Sequence, residues 1–404
     1  MPEAWRELVN ELAEQAGVEW MPHQWEAFGT MAQETASKGV TARMLLYYRT
    51  GGGKSLTALV ALRVAGHSRA LVVAPPSTHE QWEREAEKTG VDIQVVSHAK
   101  FRMANFKINR DVPIIADEFH MFGGNTAAGY KKLNRAAAGV TAPIVLCSAT
   151  PNYNDAERCY CVQHILAPET CKGGFLNFLA VHCKTRLNPY SVTPYVDGFL
   201  NYASAEEYLS ALPQTVFLPE VHHVPIADVS YRTGVPEEFD KYNFNRRTRS
   251  VMTSIIGRRW ARTELQLIDD FGWLRIHVYD HLAEIAGAES KPIVIFSASK
   301  KVVHALGLRL SEFGVNYRTV SGDQPTDVKA ENIRMFRDGG LDVLIGTAAL
   351  ATGTDGLDKV CDTLIILNDT DDDALRRQLI GRILPRGTDT DASMKKVYRF
   401  VPVE

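Results

Sequence analysis

The chain has few of the features that would assign a 404-residue protein to a special class. It has no apolar run long enough to span a membrane, and its N-terminus (MPEAWRELVNELAEQ) predicts an acidic amphipathic helix, unlike a signal peptide. It also has little net charge, −3, so any contact with nucleic acid requires a local basic surface. We therefore expect a cytoplasmic protein of about two or three domains.

Cysteine is scarce, and the six cysteines include no C-x-x-C pair. A cluster nevertheless lies near His164 and His182, and either a zinc site or reduced structural thiols would account for it. Zinc sites have narrow spacing rules, and two cysteines at i and i+2 on a helix do not share a face, so we favour structural thiols. The cluster consists of Cys159, Cys161, Cys171 and Cys183.

Two stretches of the chain alternate short apolar runs with helical patterns, as parallel α/β sheets do. Runs so continuously apolar are typical of strands that helices cover on both faces. We predict an α/β fold of two tandem, doubly wound parallel-sheet domains. The first set is RMLLYY (43–48), RALVVAP (69–75), IQVVS (93–97), PIIAD (113–117) and PIVLCSAT (143–150), and the second is PIVIFS (292–297), YRTVSG (317–322), LDVLIGT (341–347), DTLIILN (362–368) and KVYRFV (396–401).

The region between these sets has a different pattern. Helical sequence follows Pro151, then an extended segment, TVFLPEVHHVPIADVS (215–230), and then a helical region from Glu237 to Gly287. We place the domain boundaries accordingly. The N-terminal domain is residues 1–230, a helical connector with a basic patch is residues 231–290, and the C-terminal domain is residues 291–404.

The segment YYRTGGGKSLTA (47–58) lacks the first glycine of the phosphate-loop pattern G-x-x-x-x-G-K-[ST], because Tyr48 stands in its place. Its glycines lie where a strand turns into a helix, and there the backbone N–H groups and the helix dipole favour phosphate. In that geometry Lys54 would contact the β- and γ-phosphates and Ser55 would bind Mg²⁺. The alternative is a flexible glycine turn followed by a chance Lys-Ser.

A carboxylate pair, Asp117 and Glu118, ends the apolar run PIIAD, and His120 follows. Asp117 would hold Mg²⁺, and Glu118 would orient and deprotonate the attacking water. A solvated acidic turn is the alternative, but it fits poorly with so apolar a strand. The tripeptide SAT (148–150) ends another apolar run.

In this order the motifs resemble those of superfamily 2 DExH-box helicases and translocases, the tandem RecA-like motors, over nearly the whole chain. The phosphate loop of that family, A-x-T-G-x-G-K-[ST], requires no glycine at position 48, and RTGGGKS fits it. The segments VVAPPSTHEQWERE (72–85) and SATPNYNDAE (148–157) are similar to motifs Ia and III of the Swi/Snf-like branch. The resemblance implies that ATP is bound through Gln24, which would read adenine, and through Thr50, Gly51, Gly52, Gly53, Lys54, Ser55 and Asp355.

The second half of the chain resembles motifs IV, V and VI of the same family in IVIFSAS (293–299), LIGTAALATGTDGLD (344–358) and QLIGRILPRG (378–387). Motif VI implies that Gln378 and Arg382 serve catalysis, with Arg382 acting on the γ-phosphate. The family's second arginine falls on Pro385. Arg386 therefore acts only if the proline turn moves it back by one position, and otherwise it is a solvated loop residue.

Residues 241–262 carry seven basic side chains and no acidic one, a pattern that suits the phosphate backbone of a nucleic acid. A solvated helix face is the alternative. By resemblance, Ser97 and Thr347 are further backbone contacts, and the DEFH box with motifs Ia and III favours DNA over RNA. The basic residues are Lys241, Arg246, Arg247, Arg249, Arg258, Arg259 and Arg262.

The resemblance thus implies an ATP-dependent DNA helicase or translocase that hydrolyses Mg-ATP between its two domains. An RNA helicase and a nucleic-acid-binding subunit with a dead ATPase stay open as alternatives. The sequence contains no recognisable wedge hairpin, nuclease motif or zinc finger. Its two-domain form would suit a phage-encoded protein that acts in the host cytoplasm.

Overall fold

The computed structural model describes residues 3–49, 51–150, 155–219, 226–233, 291–297, 300–347, 356–367, 373–384 and 394–402, with the single residues 282, 289 and 350. The chain divides into two compact units, Met1–Glu220 and Val221–Glu404. Each unit contains a six-stranded sheet whose neighbouring strands are all parallel. The predicted pair of parallel-sheet α/β domains is therefore confirmed.

The first unit contains the five predicted strands and one more, in the sheet order β3-β2-β4-β5-β1-β8, with a separate antiparallel ribbon of β6 and β7. Its strands are β1 (Arg43–Tyr48), β2 (Arg69–Val73), β3 (Asp92–Val96), β4 (Ile114–Ala116), β5 (Ile144–Ser148), β6 (Cys183–Arg186), β7 (Tyr195–Phe199) and β8 (Thr215–Leu218). Its helices are α1 (Glu3–Ala16), α2 (Pro22–Lys38), α3 (Lys54–Val64), α4 (His79–Thr89), α5 (His98–Arg102), α6 (Ala128–Gly139), α7 (Ala156–Leu166), α8 (Gly174–His182) and α9 (Ala205–Ser210).

Strand β1 shows why this sheet forms. All six of its residues are buried, because β5 and β8 pair with it on either side and apolar cores cover both faces. Its side chains alternate between these cores, as strand geometry requires: Leu45 and Tyr47 enter one, and Met44, Leu46 and Tyr48 enter the other.

The strand order brings three predicted motifs together. Strands β4, β5 and β1 are neighbours in the sheet and run in the same direction. Their carboxyl ends lead into the Asp117-Glu118 pair, the SAT tripeptide and the glycine loop, respectively. Ligands of open parallel sheets bind outside the carboxyl ends of the strands, so this edge is the place to look for a site.

The second unit has the sheet order β11-β12-β10-β13-β14-β9. The prediction that residues 226–230 end the first domain is wrong, because they lie in β9, which pairs with β14 over its whole length. The division between the units accordingly falls at Glu220, and most of the expected connector lies outside the described residues. The elements are β9 (Ile226–Thr233), β10 (Ile293–Phe296), α10 (Lys300–Glu312), β11 (Tyr317–Val320), α11 (Thr326–Arg337), β12 (Val343–Gly346), β13 (Thr363–Ile366), α12 (Asp373–Ile383) and β14 (Lys395–Pro402).

Candidate functional site

The glycine loop between β1 and α3 has a backbone that side chains would disturb. Gly51 and Gly53 have φ angles of 77° and 76°, in the left-handed region that favours glycine. At Gly52 a Cβ would lie 2.9 Å from Leu218 Cδ2 and 3.1 Å from the carbonyl oxygen of Arg49. Each of the three positions therefore favours glycine over a residue with a side chain. This argues against a loop that contains three glycines by chance.

Lys54 begins α3, and its ammonium group lies at the loop. Nζ donates hydrogen bonds to the carbonyl oxygens of Tyr48 and Arg49, over 3.2 and 3.3 Å. Burial and the carboxylate of Glu118 raise the pKa of Asp117, and the positive charge of Lys54 opposes that rise, so the lysine and that carboxylate act on each other electrostatically. Ser55 follows in the first turn of α3 and is partly exposed. This arrangement presents backbone N–H groups, an ammonium group and a hydroxyl group at one helix N-terminus, as phosphate binding requires.

Tyr48, which replaces the usual first glycine, links the loop to helix α2. Its buried hydroxyl group donates to the carbonyl oxygen of His23 over 2.9 Å, and the two rings meet edge to face. His23 Nε2 in turn lies 3.1 Å from the carbonyl oxygen of Gly52. Burial raises the pKa of Tyr48 above its ordinary value, so the phenol keeps its proton and remains a donor.

Gln24, expected to read adenine, is buried next to the loop. Its Nε2 donates to Thr57 Oγ1 on α3, and its Oε1 accepts from the backbone N–H of Met21, each over 3.0 Å. A Cβ on Gly53 would lie 3.0 Å from the same Nε2. The amide therefore holds α2 and α3 together at the glycine loop.

The carboxylate pair lies at the end of β4. Asp117 is buried, and burial together with the neighbouring carboxylate of Glu118 raises its pKa above the ordinary value. Its Oδ1 accepts from the backbone N–H of Glu118, and its Oδ2 accepts from Trp82 Nε1, each over 2.9 Å. A buried carboxylate of this kind favours a nearby cation, which would stabilise its ionised form.

Glu118 has a strained backbone and an unsatisfied oxygen. Its φ of 45° is the only positive value among the described residues other than glycine, and such strain costs about 1–3 kcal/mol and is common at active sites. Its Oε2 is buried and accepts no hydrogen bond, although His120 Nδ1 lies 3.4 Å away. An orphaned carboxylate oxygen at the edge of the sheet suits a base that takes a proton from water.

The SAT tripeptide contacts this pair through His120. Ser148 Oγ lies 3.1 Å from His120 Nδ1 and accepts from the backbone N–H of Thr150 over the same distance. Arg158 from α7 also donates to the carbonyl oxygen of His120. The ends of β4 and β5 are therefore joined by hydrogen bonds.

The remaining predicted residues lie elsewhere or outside the described part of the chain. Ser97 caps α5, where its hydroxyl group accepts from the N–H of Lys100. Thr347 is buried after β12, and Gln378 and Arg382 lie one turn apart on α12, buried and partly buried. Thr50, Asp355, Arg386 and the seven basic residues between positions 241 and 262 are outside the described residues.

All six cysteines are buried thiols, and burial raises the pKa of each of them above the ordinary value. Within the described ranges, no group of three or more His, Cys, Asp or Glu side chains could hold a metal ion. In the same ranges no helix is long and apolar enough to cross a membrane.

Three side chains that support the site were not singled out from the sequence. Trp82 contacts the Asp117 carboxylate, His98 Nε2 donates to the backbone carbonyl oxygen of Asp117 over 2.9 Å, and His23 contacts the glycine loop. Burial lowers the pKa of His98 to about 4, which leaves its ring neutral near pH 7. Trp82 lies in the segment VVAPPSTHEQWERE, which resembles motif Ia, but that resemblance indicates a family and not a contact with Asp117.

The fold and site define two RecA-like domains, the first of which carries a phosphate loop and a carboxylate pair. Residues 277–386 match the family described as the Helicase conserved C-terminal domain. Two solved structures share the fold, each with a TM-score of 0.54 and 16% identity. One is S. cerevisiae Dbp5 bound to RNA and ADP BeF3, and the match covers 97% of this chain and 90% of that chain. The other is Mycobacterium smegmatis helicase Lhr bound to ssDNA and AMP-PNP, and the match covers 99% of this chain and 47% of that chain. No curated protein sequence matches the chain. The chain therefore contains a match to a helicase C-terminal domain and shares the fold of these two helicase structures.

Proposed function

We propose that the protein is a DNA-dependent ATPase of the Swi/Snf-like, DExH-box branch of superfamily 2, which uses ATP hydrolysis to move along DNA or to separate its strands. One observation carries this proposal: the neighbouring strands β1, β5 and β4 end in the glycine loop, the SAT tripeptide and the carboxylate pair. Phosphoryl transfer to water needs a phosphate-binding loop, a magnesium ligand and a base. The glycine loop would provide the first, and the carboxylate pair would provide the other two.

The described residues fit a magnesium-bound nucleotide. Asp117 offers a buried carboxylate and Ser55 a hydroxyl group, both hard oxygen donors of the kind that Mg²⁺ prefers. Bound Mg²⁺ would neutralise charge that develops on the phosphates. Lys54 would hold the β- and γ-phosphates at the loop, and Glu118 would take the proton of the attacking water through its orphaned oxygen.

Other roles are proposed on the strength of the family resemblance. Gln24 would read adenine, with Thr50, Gly51, Gly52, Gly53 and Asp355 completing the nucleotide contacts. From the second unit, Gln378, Arg382 and Arg386 would act on the γ-phosphate. Ser97, Thr347, Arg246, Arg247, Arg249, Arg258, Arg259 and Arg262 would contact the nucleic-acid backbone.

Replacement of Glu118, the proposed general base, tests whether the protein hydrolyses ATP. Glu118→Gln keeps the size of the side chain but removes its charge, so we expect ATP binding to persist while kcat falls by about 10²-fold or more. Glu87→Gln, on the exposed face of α4, is the matched control and should keep full activity. Nucleic-acid-stimulated ATPase activity that survives Glu118→Gln would contradict the proposal.

The choice of nucleic acid is tested in the unaltered protein. ATPase stimulation by single-stranded DNA, duplex DNA and RNA is compared at one fixed salt concentration, because backbone contacts depend strongly on salt. We expect DNA to stimulate more than RNA. Stimulation by RNA alone would identify an RNA helicase, and nucleotide binding without turnover on any of the three would indicate a dead ATPase.

A further inference from the structure

Trp82 uses its only polar atom on the carboxylate of the proposed metal site. The side chain is completely buried on the inner face of α4, and Nε1 donates to Asp117 Oδ2 over 2.9 Å. A buried indole needs one acceptor, but a backbone carbonyl serves equally well. In the same apolar core, Trp20 donates to the carbonyl oxygen of Val9 over the same distance. Burial alone therefore does not explain why Trp82 meets a carboxylate.

Hydrogen bonds from four directions hold Asp117. Its backbone N–H donates to Val73 on β2, and its carbonyl oxygen accepts from His98 on α5, each over 2.9 Å. In the side chain, Oδ1 accepts from the N–H of Glu118 and Oδ2 accepts from Trp82. A carboxylate has about four lone-pair directions, so about two of them stay available for a metal ion or its water. The indole is the one side-chain donor among these contacts that fixes the rotation of the carboxylate.

On the basis of the proposed function, we propose that Trp82 is a positioning residue of the magnesium site, whose indole N–H orients Asp117 for the Mg²⁺ of Mg-ATP. Side chains that orient a metal-binding group typically account for about 10- to 100-fold in metal affinity or activity. Trp82→Phe preserves the buried aromatic ring and removes the N–H. We expect the Mg²⁺ concentration at half-maximal ATPase activity to rise about 10-fold, while kcat at saturating Mg²⁺ changes by less than about threefold.

Trp20→Phe is the matched control, because it removes an equally long hydrogen bond from the same core without touching Asp117. Metal binding is measured directly by Mn²⁺ electron paramagnetic resonance, in the presence of a non-hydrolysable ATP analogue. We expect weaker Mn²⁺ binding in Trp82→Phe alone. Equal Mn²⁺ affinity in the wild type and both variants would overturn the proposal.

A second measurement needs no tryptophan variant, and so it decides the matter even if Trp82→Phe does not fold. In the full chain, six tryptophans give six indole N–H resonances by nuclear magnetic resonance. Asp117→Asn should shift the Trp82 resonance, and addition of Mg²⁺ with the ATP analogue to the wild type should shift the same one. The inference is wrong if Mg²⁺ and the analogue leave that resonance unmoved.

These outcomes separate the inference from the function on which it rests. A wild-type protein that binds no Mg-nucleotide would contradict both. A wild-type protein that binds Mg-nucleotide, together with a Trp82→Phe variant of equal metal affinity, would contradict only the role of Trp82.

Discussion

Both units direct an internal strand into a helix that begins with lysine, but the two lysines have different surroundings. In the first unit, β1 leads through the five residues RTGGG to Lys54. In the second, β10 leads through the three residues SAS to Lys300. The second connection has no glycine, and so it lacks residues that readily adopt the positive φ angles of Gly51 and Gly53.

The two lysines also have different partners. Lys300 Nζ pairs with Asp323 Oδ2 over 3.3 Å, and both side chains are more than half exposed. Lys54 Nζ instead donates to two carbonyl oxygens of its own loop. A lysine paired with a carboxylate already has its charge balanced, whereas one bound to neutral carbonyls keeps a charge that a phosphate can meet. The glycines before the helix and the partners of the lysine, more than the lysine itself, therefore distinguish the two connections.

The largest effect that we expect comes from a pair of lysine substitutions. Lys54→Ala should lower nucleic-acid-stimulated ATPase activity by about 10²- to 10³-fold, because it removes a cation from the charge that develops in the transition state. Lys300→Ala removes only an exposed surface ion pair and should leave kcat/KM unchanged. Steady-state ATPase assays of both variants check this contrast, and equal losses would remove the distinction between the two lysines.

The strands, and the site residues that follow their carboxyl ends, could be predicted from the sequence for a physical reason. Parallel strands covered on both faces must be apolar along their length, so β1, β4 and β5 were visible as runs, and their carboxyl ends gave the positions of Lys54, Asp117 and Ser148. The assignment of 226–230 failed, since the partner of that extended segment, β14, lies far along the chain.

The contacts that support the site could not be predicted in this way. Tyr48 meets His23 from 25 positions away, and Trp82 meets Asp117 from 35 positions away. Such contacts depend on which helix packs beside which strand, and a single sequence carries no periodic signal for that choice. From the sequence, Tyr48 is therefore visible only as a departure from the phosphate-loop pattern, although its hydroxyl group links the glycine loop to His23 on α2.

A smaller effect is expected at the two ends of α3, where glycines have positive φ angles. Gly53→Ala and Gly66→Ala both force alanine into the left-handed region, at φ angles of 76° and 84°, and each should lower the free energy of unfolding by about 1–2 kcal/mol. Only Gly53 lies at the phosphate loop, where a Cβ would also press on Gln24 Nε2. We expect Gly53→Ala alone to raise the Kd of ATP, by about 10-fold or more.

Urea unfolding and binding of a fluorescent ATP analogue measure the two quantities separately. The Gly66 variant reports the backbone cost by itself, because a Cβ there meets nothing within 4 Å. If the two variants bound the analogue equally well, the glycine at position 53 would matter for folding only.

The smallest effect tests Tyr48 against its neighbour in β1. The hydroxyl groups of Tyr47 and Tyr48 lie on opposite faces of the sheet, where Tyr47 donates to Glu206 Oε2 over 3.1 Å and Tyr48 donates to the carbonyl oxygen of His23. Replacement of either by phenylalanine should lower the free energy of unfolding by about 1 kcal/mol, the usual net contribution of one hydrogen bond.

Tyr48→Phe should also raise the KM for ATP by roughly threefold, about 0.6 kcal/mol, because His23 then holds Gly52 less firmly. Stability is measured by thermal unfolding and KM by steady-state kinetics. An unchanged KM in Tyr48→Phe would show that the link from Tyr48 through His23 to Gly52 stabilises the fold without shaping the loop.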